Sequence, residues 1–244
     1  MFALLKKEIG SFLYSLIGYI VIIVFLLGLS LFLWIFPGDS NILDSGYAGL
    51  DGLFVTAPWM FLFLVPAITM RSFSEEKRIG TIELLYTKPL SNLQIITAKY
   101  LAGLLLVLLS LIPTLVYFYS IYQLGNPIGN IDTGGTWGSY IGLFFLGAAF
   151  VSIGIFSSSL TDNQIISFIV SFSLCFLCYT GFDSISGLPL IEGWDHLIIS
   201  LGIQEHYISM SRGVIDTRDI LYFVSIIAFF LLLTRSIISR RDNT

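Results

Sequence analysis

The chain has 244 residues, of which 56% are hydrophobic and only 11% charged, with a net charge of −4 and a mean hydropathy of +0.89. Ordinary soluble domains carry about 25% charged residues, so twelve basic and sixteen acidic side chains cannot cover so apolar a globule with solvated groups. This balance excludes a soluble enzyme, a disordered chain and a basic nucleic-acid binder, and leaves a polytopic membrane protein.

A helix crosses the roughly 30 Å hydrocarbon layer with about 20 apolar residues. The chain begins with an amphipathic stretch. Over residues 2–16, Phe2, Leu5, Ile9, Phe12, Leu13 and Leu16 share one helical face, and Lys6, Lys7, Gly10 and Ser11 fall on or beside the other. That pattern predicts an interfacial helix. Its long apolar continuation, with no small-residue cleavage site after it, does not read as a cleavable signal.

Six continuously apolar stretches follow as predicted spans: Leu16–Phe36, Leu53–Met70, Tyr100–Ile121, Tyr140–Leu160, Ile165–Phe182 and Ile220–Leu233, the last running on to Ile238. Barrel strands would alternate over about 10 residues instead. Polar turns separate the spans at Pro37-Gly38-Asp39, Gly125-Asn126-Pro127 and Thr161-Asp162-Asn163. Pro58, Pro66 and Pro113 are candidate bends in the second and third spans. The fourth span is rich in small residues (Gly147, Ala148, Ala149, Ser152, Gly154 and Ser157 to Ser159), which suits close packing inside the bundle. No repeat divides the chain, so residues 1–244 read as a single domain.

Ten of the twelve basic residues fall on the side that holds both termini and the segment between spans two and three, together with six acids. The opposite side has two basic and ten acidic residues. The positive-inside rule therefore puts both termini in the cytoplasm.

The predicted span interiors contain no Asp, Glu, Lys, Arg or His. That argues against proton-coupled transport, a voltage sensor or a charge-ringed channel, which need ionisable groups at membrane depth. The spans hold no paired carboxylates, His–Glu pair or activated serine, so a membrane-embedded enzyme is disfavoured. Cys175 and Cys178 lie one helical turn apart in an apolar span and read as small hydrophobes. His196 and His206 match no common zinc spacing and read as surface histidines. No phosphate-binding loop of the G-x-x-x-x-G-K-[ST] type occurs. Catalytic and metal residues are thus expected to be absent, and any ATP must be bound by another subunit.

The segment between spans two and three carries the remaining signal. Glu75, Glu76, Lys77, Arg78 and Glu83 are followed by Leu84, Leu85 and Tyr86. Gly80 breaks the preceding turn, Thr81 can cap a short helix over Ile82–Tyr86, and Pro89 stops it. Ser91 and Gln94 have capping-box spacing and start the helix into span three. On these grounds alone, a solvated loop and a docking surface remain equally open.

The run from Glu76 to Ser91, followed by Lys99-Tyr-Leu-Ala-Gly103, closely resembles the signature of ABC-2-type permeases, the membrane halves of ATP-binding-cassette exporters. Glu76, Gly80, Thr81, Glu83, Leu84, Leu85, Pro89 and Ser91 match it. The resemblance implies an all-α polytopic membrane protein with six transmembrane helices, an N-terminal interfacial helix and a cytoplasmic coupling helix, with re-entrant or short helices between spans five and six. It implies that Glu75, Glu76, Lys77, Arg78, Gly80, Thr81, Glu83, Leu84, Leu85, Pro89 and Ser91 form the segment that docks on an ABC ATPase subunit. Re-entrant helices are expected within Asp183–Asp219, whose moderately apolar stretches are Ile185–Ile191 and Leu197–Ile203.

The strings Asn41 to Tyr47, Ala57 to Phe61, Pro66 to Arg71, Gly125 to Asn130 and Ser159 to Gln164 further resemble the gliding-motility-associated (GldF-type) permeases of bacteria. This resemblance implies a second membrane subunit with a large extracytoplasmic domain, or a second permease copy, and a bacterial inner-membrane location. Its other reading is a force-transmitting anchor of an envelope assembly that moves no cargo.

Overall fold

The computed structural model describes residues 1–86, 90–186, 198–213 and 215–241. Among them there is no strand. The helices are α1 (Phe2–Leu13), α2 (Leu16–Ser30), α3 (Asp51–Thr69), α4 (Ser74–Ile79), α5 (Ile82–Tyr86), α6 (Asn92–Leu111), α7 (Leu115–Leu124), α8 (Thr133–Leu160), α9 (Gln164–Phe176), α10 (Phe182–Ser186), α11 (Ile203–Ser211) and α12 (Thr217–Arg241). Among the described residues, six helical runs are long and apolar enough to cross a membrane: Gly18–Ile35, Asp51–Ile79, Asn92–Leu124, Thr133–Leu160, Gln164–Ser186 and Thr217–Ser239.

Their ends follow local chemistry. Asp132 caps α8 through the Gly135 N–H (2.9 Å) and Asn163 caps α9 through the Ile165 N–H (2.9 Å), each supplying an acceptor to a helix start that has none within the helix. Ser91 and Gln94 form the expected capping box at α6. That box starts the helix eight residues before the predicted third span. Pro58 and Pro66 lie inside an unbroken α3, whereas Pro113 sits in a 3₁₀ turn, Ile112–Thr114, that divides α6 from α7. Helix breaks in lipid survive when other groups bond the backbone they release. Here the Tyr140 hydroxyl donates to the Thr114 carbonyl at 3.1 Å.

α8 is the axis of the bundle. Of the most apolar stretch of each span, 78% is buried in α8 and 11% in α12, which places α12 at the edge. α3, α6, α9, α11 and α12 all pack on α8. The small residues explain how they fit: Gly147, Ala148, Ala149, Ser152, Gly154 and Ser157 to Ser159 are all buried. At Gly154 a Cβ atom would fall 2.0 Å from Thr69 Oγ1, so α3 and α8 cross there as closely as backbone permits. The outer faces of α2, α9 and α12 expose Ile23, Val24, Ile165, Ile169, Leu221 and Phe229, as helices bordering lipid do.

Opposite the α4–α5 end, α11 is a short helix between spans five and six. Ile203, Tyr207 and Met210 are its buried residues, and the Tyr207 hydroxyl donates to the Phe54 carbonyl (2.7 Å). The expected stretch Ile185–Ile191 lies outside the described residues from 187 onward, as do residue 197 and His196.

Candidate functional site

The α3–α4–α5 elbow is built on three buried attachments. The first is to α8. Phe73, at the N-cap position of α4, offers no side-chain acceptor. Ser158 of α8 supplies one from outside, accepting from the Phe73 (2.9 Å) and Ser74 (3.1 Å) N–H groups and donating to the Met70 carbonyl (3.1 Å). Lys77 adds a bond from its ammonium to the Ser159 carbonyl. Replacing Ser158 by alanine leaves two buried N–H groups without this acceptor. It is expected to cost about 1–2 kcal/mol, read as a lowered midpoint in thermal unfolding of the detergent-solubilised protein.

The second and third attachments meet at Lys99, whose side chain is fully buried in α6. Its ammonium lies 3.0 Å from Glu8 Oε1 of α1 and 2.9 Å from Glu76 Oε2 of α4. It also donates to the Ser72 carbonyl at 2.6 Å and stands 5.0 Å from the centre of the Phe73 ring. Lys7 closes the cluster, 2.8 Å from Glu76 Oε1 and 3.6 Å from Glu8 Oε1. Burial lowers the pKa of Lys7, but Glu76 and Glu8 more than offset that and hold it above the usual lysine value. Two carboxylates and two ammoniums thus neutralise one another where α1, α4 and α6 converge. Charges at this depth are tolerable only when paired and hydrogen-bonded in this way.

The capping box at Ser91 and Gln94 begins α6 as expected, and Lys99 is a buried residue of that helix. α1 also buries residues outside its predicted apolar face. Its buried residues are Leu4 and Phe12, with Glu8 between them on the same face reaching Lys99, while Phe2 and Leu16 are exposed. The apolar periodicity of residues 2–16 hid the carboxylate that decides how α1 sits. A Glu at i+4 between two apolar residues was the signal available.

The expected docking residues divide between two environments. Glu76 is buried in the cluster, Lys77 is bonded to Ser159, and Glu75 lies 3.7 Å from Arg71 Nε. Arg78, Gly80, Thr81 and Glu83 are exposed, as is Ile79. Gly80 has a left-handed backbone (φ 78°), the conformation that lets α4 stop and α5 turn away at low steric cost. The Thr81 hydroxyl donates back to the Glu76 carbonyl (3.4 Å). Leu85 is half-buried against the core, Leu84 lies within α5, and Ser91 caps α6. Pro89 is outside the described residues.

Cys175 and Cys178 are free thiols, the first fully buried. His206 is a latch rather than a surface histidine: Nδ1 lies 2.7 Å from Asp219 Oδ1, Nε2 lies 2.9 Å from the Ser200 carbonyl, and the ring stacks on Tyr222 at 3.7 Å. Among the described residues no group of His, Cys, Asp and Glu could hold a metal ion.

A family model described as ABC-2 family transporter protein matches residues 2–243, and the chain belongs to that family. It is a multi-pass membrane permease of an ABC transporter, a class that works with an ABC ATPase subunit. No curated protein matches it.

Proposed function

We propose that this ABC-2 family member is the permease subunit of a bacterial inner-membrane exporter of the gliding-motility-associated kind, a single transmembrane domain with both termini in the cytoplasm. In this reading Glu83 and its neighbours on α5 receive the movement of a separate ATPase subunit, which binds the ATP. A second membrane subunit or a second permease copy completes the path. One observation carries the reading. The elbow presents the exposed residues Ile79, Gly80, Thr81 and Glu83 outward, while buried bonds tie the same elbow to α1, α6 and α8. A push on α5 therefore reaches three other helices at once. The basic residues gathered on the elbow side support its facing the cytoplasm.

The test is Glu83→Lys in the complex with the ATPase subunit. Because Glu83 is exposed, insertion and thermal stability should be unchanged. Membrane-stimulated ATP hydrolysis should fall by about tenfold, the effect of losing one well-placed charge contact worth roughly 1.4 kcal/mol. Undiminished stimulation would remove Glu83 from the docking surface.

The anchor reading draws on a different observation. Among the described residues, the buried acidic and basic side chains Lys99, Glu76 and Asp219 lie near the two ends of the bundle rather than along its middle. Such a bundle suits force transmission as well as the passage of uncharged cargo. A variant that abolishes envelope assembly without trapping any cargo inside the cell favours the anchor, and cargo retention favours the exporter.

A further inference from the structure

The elbow and α1 enclose a half-open cleft of about 400 Å³, a size suited to small-molecule ligands and headgroups. One part of its lining is apolar, with Phe12, Ile68, Ala102 and Leu106, and the rest is ionic. Its depth follows from its walls. α1 immediately precedes the first span and the elbow immediately follows α3. The cleft therefore lies where hydrocarbon gives way to headgroups, and α1 exposes Phe2, with Tyr14 exposed just after its end, as interfacial helices do.

The ionic lining holds three basic and three acidic side chains, Lys7, Arg71 and Lys99 with Glu8, Glu75 and Glu76, and so has no net charge. Four of the six are engaged with one another by bonds of 2.8–3.0 Å. Arg71 and Glu75 are not held so tightly: they stand 3.7 Å apart, and Arg71 Nε is shut from solvent without a hydrogen-bond partner among the described residues. The guanidinium does reach the Ser15 hydroxyl (3.2 Å) through Nη1. A loose cation–anion pair on the wall of a neutral amphipathic cleft matches a ligand that carries both signs a few ångströms apart and has an apolar tail. A guanidinium favours phosphate oxygens, and a carboxylate favours a primary ammonium that can donate N–H bonds.

The geometry points to a binding site in this cleft for one phospholipid with a zwitterionic, amine-bearing headgroup, its phosphate on Arg71, its ammonium on Glu75 and its chains along Phe12, Ile68 and Leu106. Glu83 does not line the cleft, so Glu83→Lys should leave lipid binding intact while it tests docking.

The experiment is native mass spectrometry of the full chain in detergent with added phosphatidylethanolamine, phosphatidylcholine or phosphatidylglycerol. Phosphatidylethanolamine should be retained most strongly, with retention falling about tenfold in Arg71→Gln, equivalent to roughly 1.4 kcal/mol. Ser11→Trp fills the mouth of the cleft from an exposed position without altering a charge. It should also lose the lipid while unfolding at the wild-type temperature in lipid-free detergent, and so decides the question if Arg71→Gln does not fold. Millimolar inorganic phosphate should leave the bound lipid in place. Equal retention of the three lipids, a preference for phosphatidylglycerol, or displacement by phosphate would each overturn the assignment.

Discussion

Replacing Lys99 by methionine should destabilise the folded chain by about 3–5 kcal/mol. Methionine keeps the apolar stem of the side chain, so packing changes little and the loss is electrostatic. Without the ammonium, Glu8 and Glu76 face each other across a space in which they are 14% and 11% exposed, with only the outward-lying Lys7 between them. The Ser72 carbonyl also loses its donor. Adding Glu8→Gln and Glu76→Gln to Lys99→Met removes the stranded charges and should restore about half of the stability, since neutral replacement of a buried ion cluster costs far less than breaking it. Unfolding midpoints of the three variants in detergent measure this. A loss under about 1 kcal/mol for Lys99→Met would mean that water reaches the cluster and screens it.

The second large effect is expected at the crossing of α3 and α8. Gly154→Ala brings a methyl group to 2.0 Å from Thr69 Oγ1 and 2.7 Å from Thr69 Cβ. Thr69 cannot swing aside cheaply: it is 1% exposed, β-branched, and its hydroxyl is bonded to the Val65 carbonyl at 2.8 Å. The helices must separate, which in a close-packed interior costs about 1–3 kcal/mol. Gly154→Leu, with a far larger side chain, should prevent accumulation of folded protein. Ser158 lies one turn beyond Gly154 on the same helix, so separation of α3 and α8 should also loosen the elbow and reduce stimulated ATP hydrolysis. Combining Gly154→Ala with Thr69→Ala removes the nearer clash and should recover part of the midpoint. No recovery would locate the cost elsewhere along α8.

Much of the fold could be read directly because the signals are local or one-dimensional. Span number follows from runs of apolar residues, the start of α6 from Ser91 and Gln94, and the break after α4 from Gly80. The likeness to ABC-2 permeases rested on residues 76–91, and the family match covers residues 2–243. The candidate site was only half legible. Charge density marked the segment from Glu75 to Glu83, but charge alone does not tell an outward residue from an inward one. Glu76 turns inward and Glu83 outward, seven residues apart. His206 failed as a reading for the same reason, since its partner Asp219 lies thirteen residues away on another helix.

By itself the sequence determined that this is a six-span membrane protein with an asymmetric charge distribution and a charged, helix-breaking elbow between spans two and three. Those properties depend on hydropathy, capping and neighbouring residues, which act over a few turns of chain. The tertiary structure alone decided which helices pack on α8, that α1 is pinned through Glu8, and that Lys99 joins three helices at one point. Positions 8, 76 and 99 have no local reason to meet. They are brought together by the burial of charge in a low-dielectric interior, where an ammonium must find carboxylates and the helices that carry them must converge to supply them.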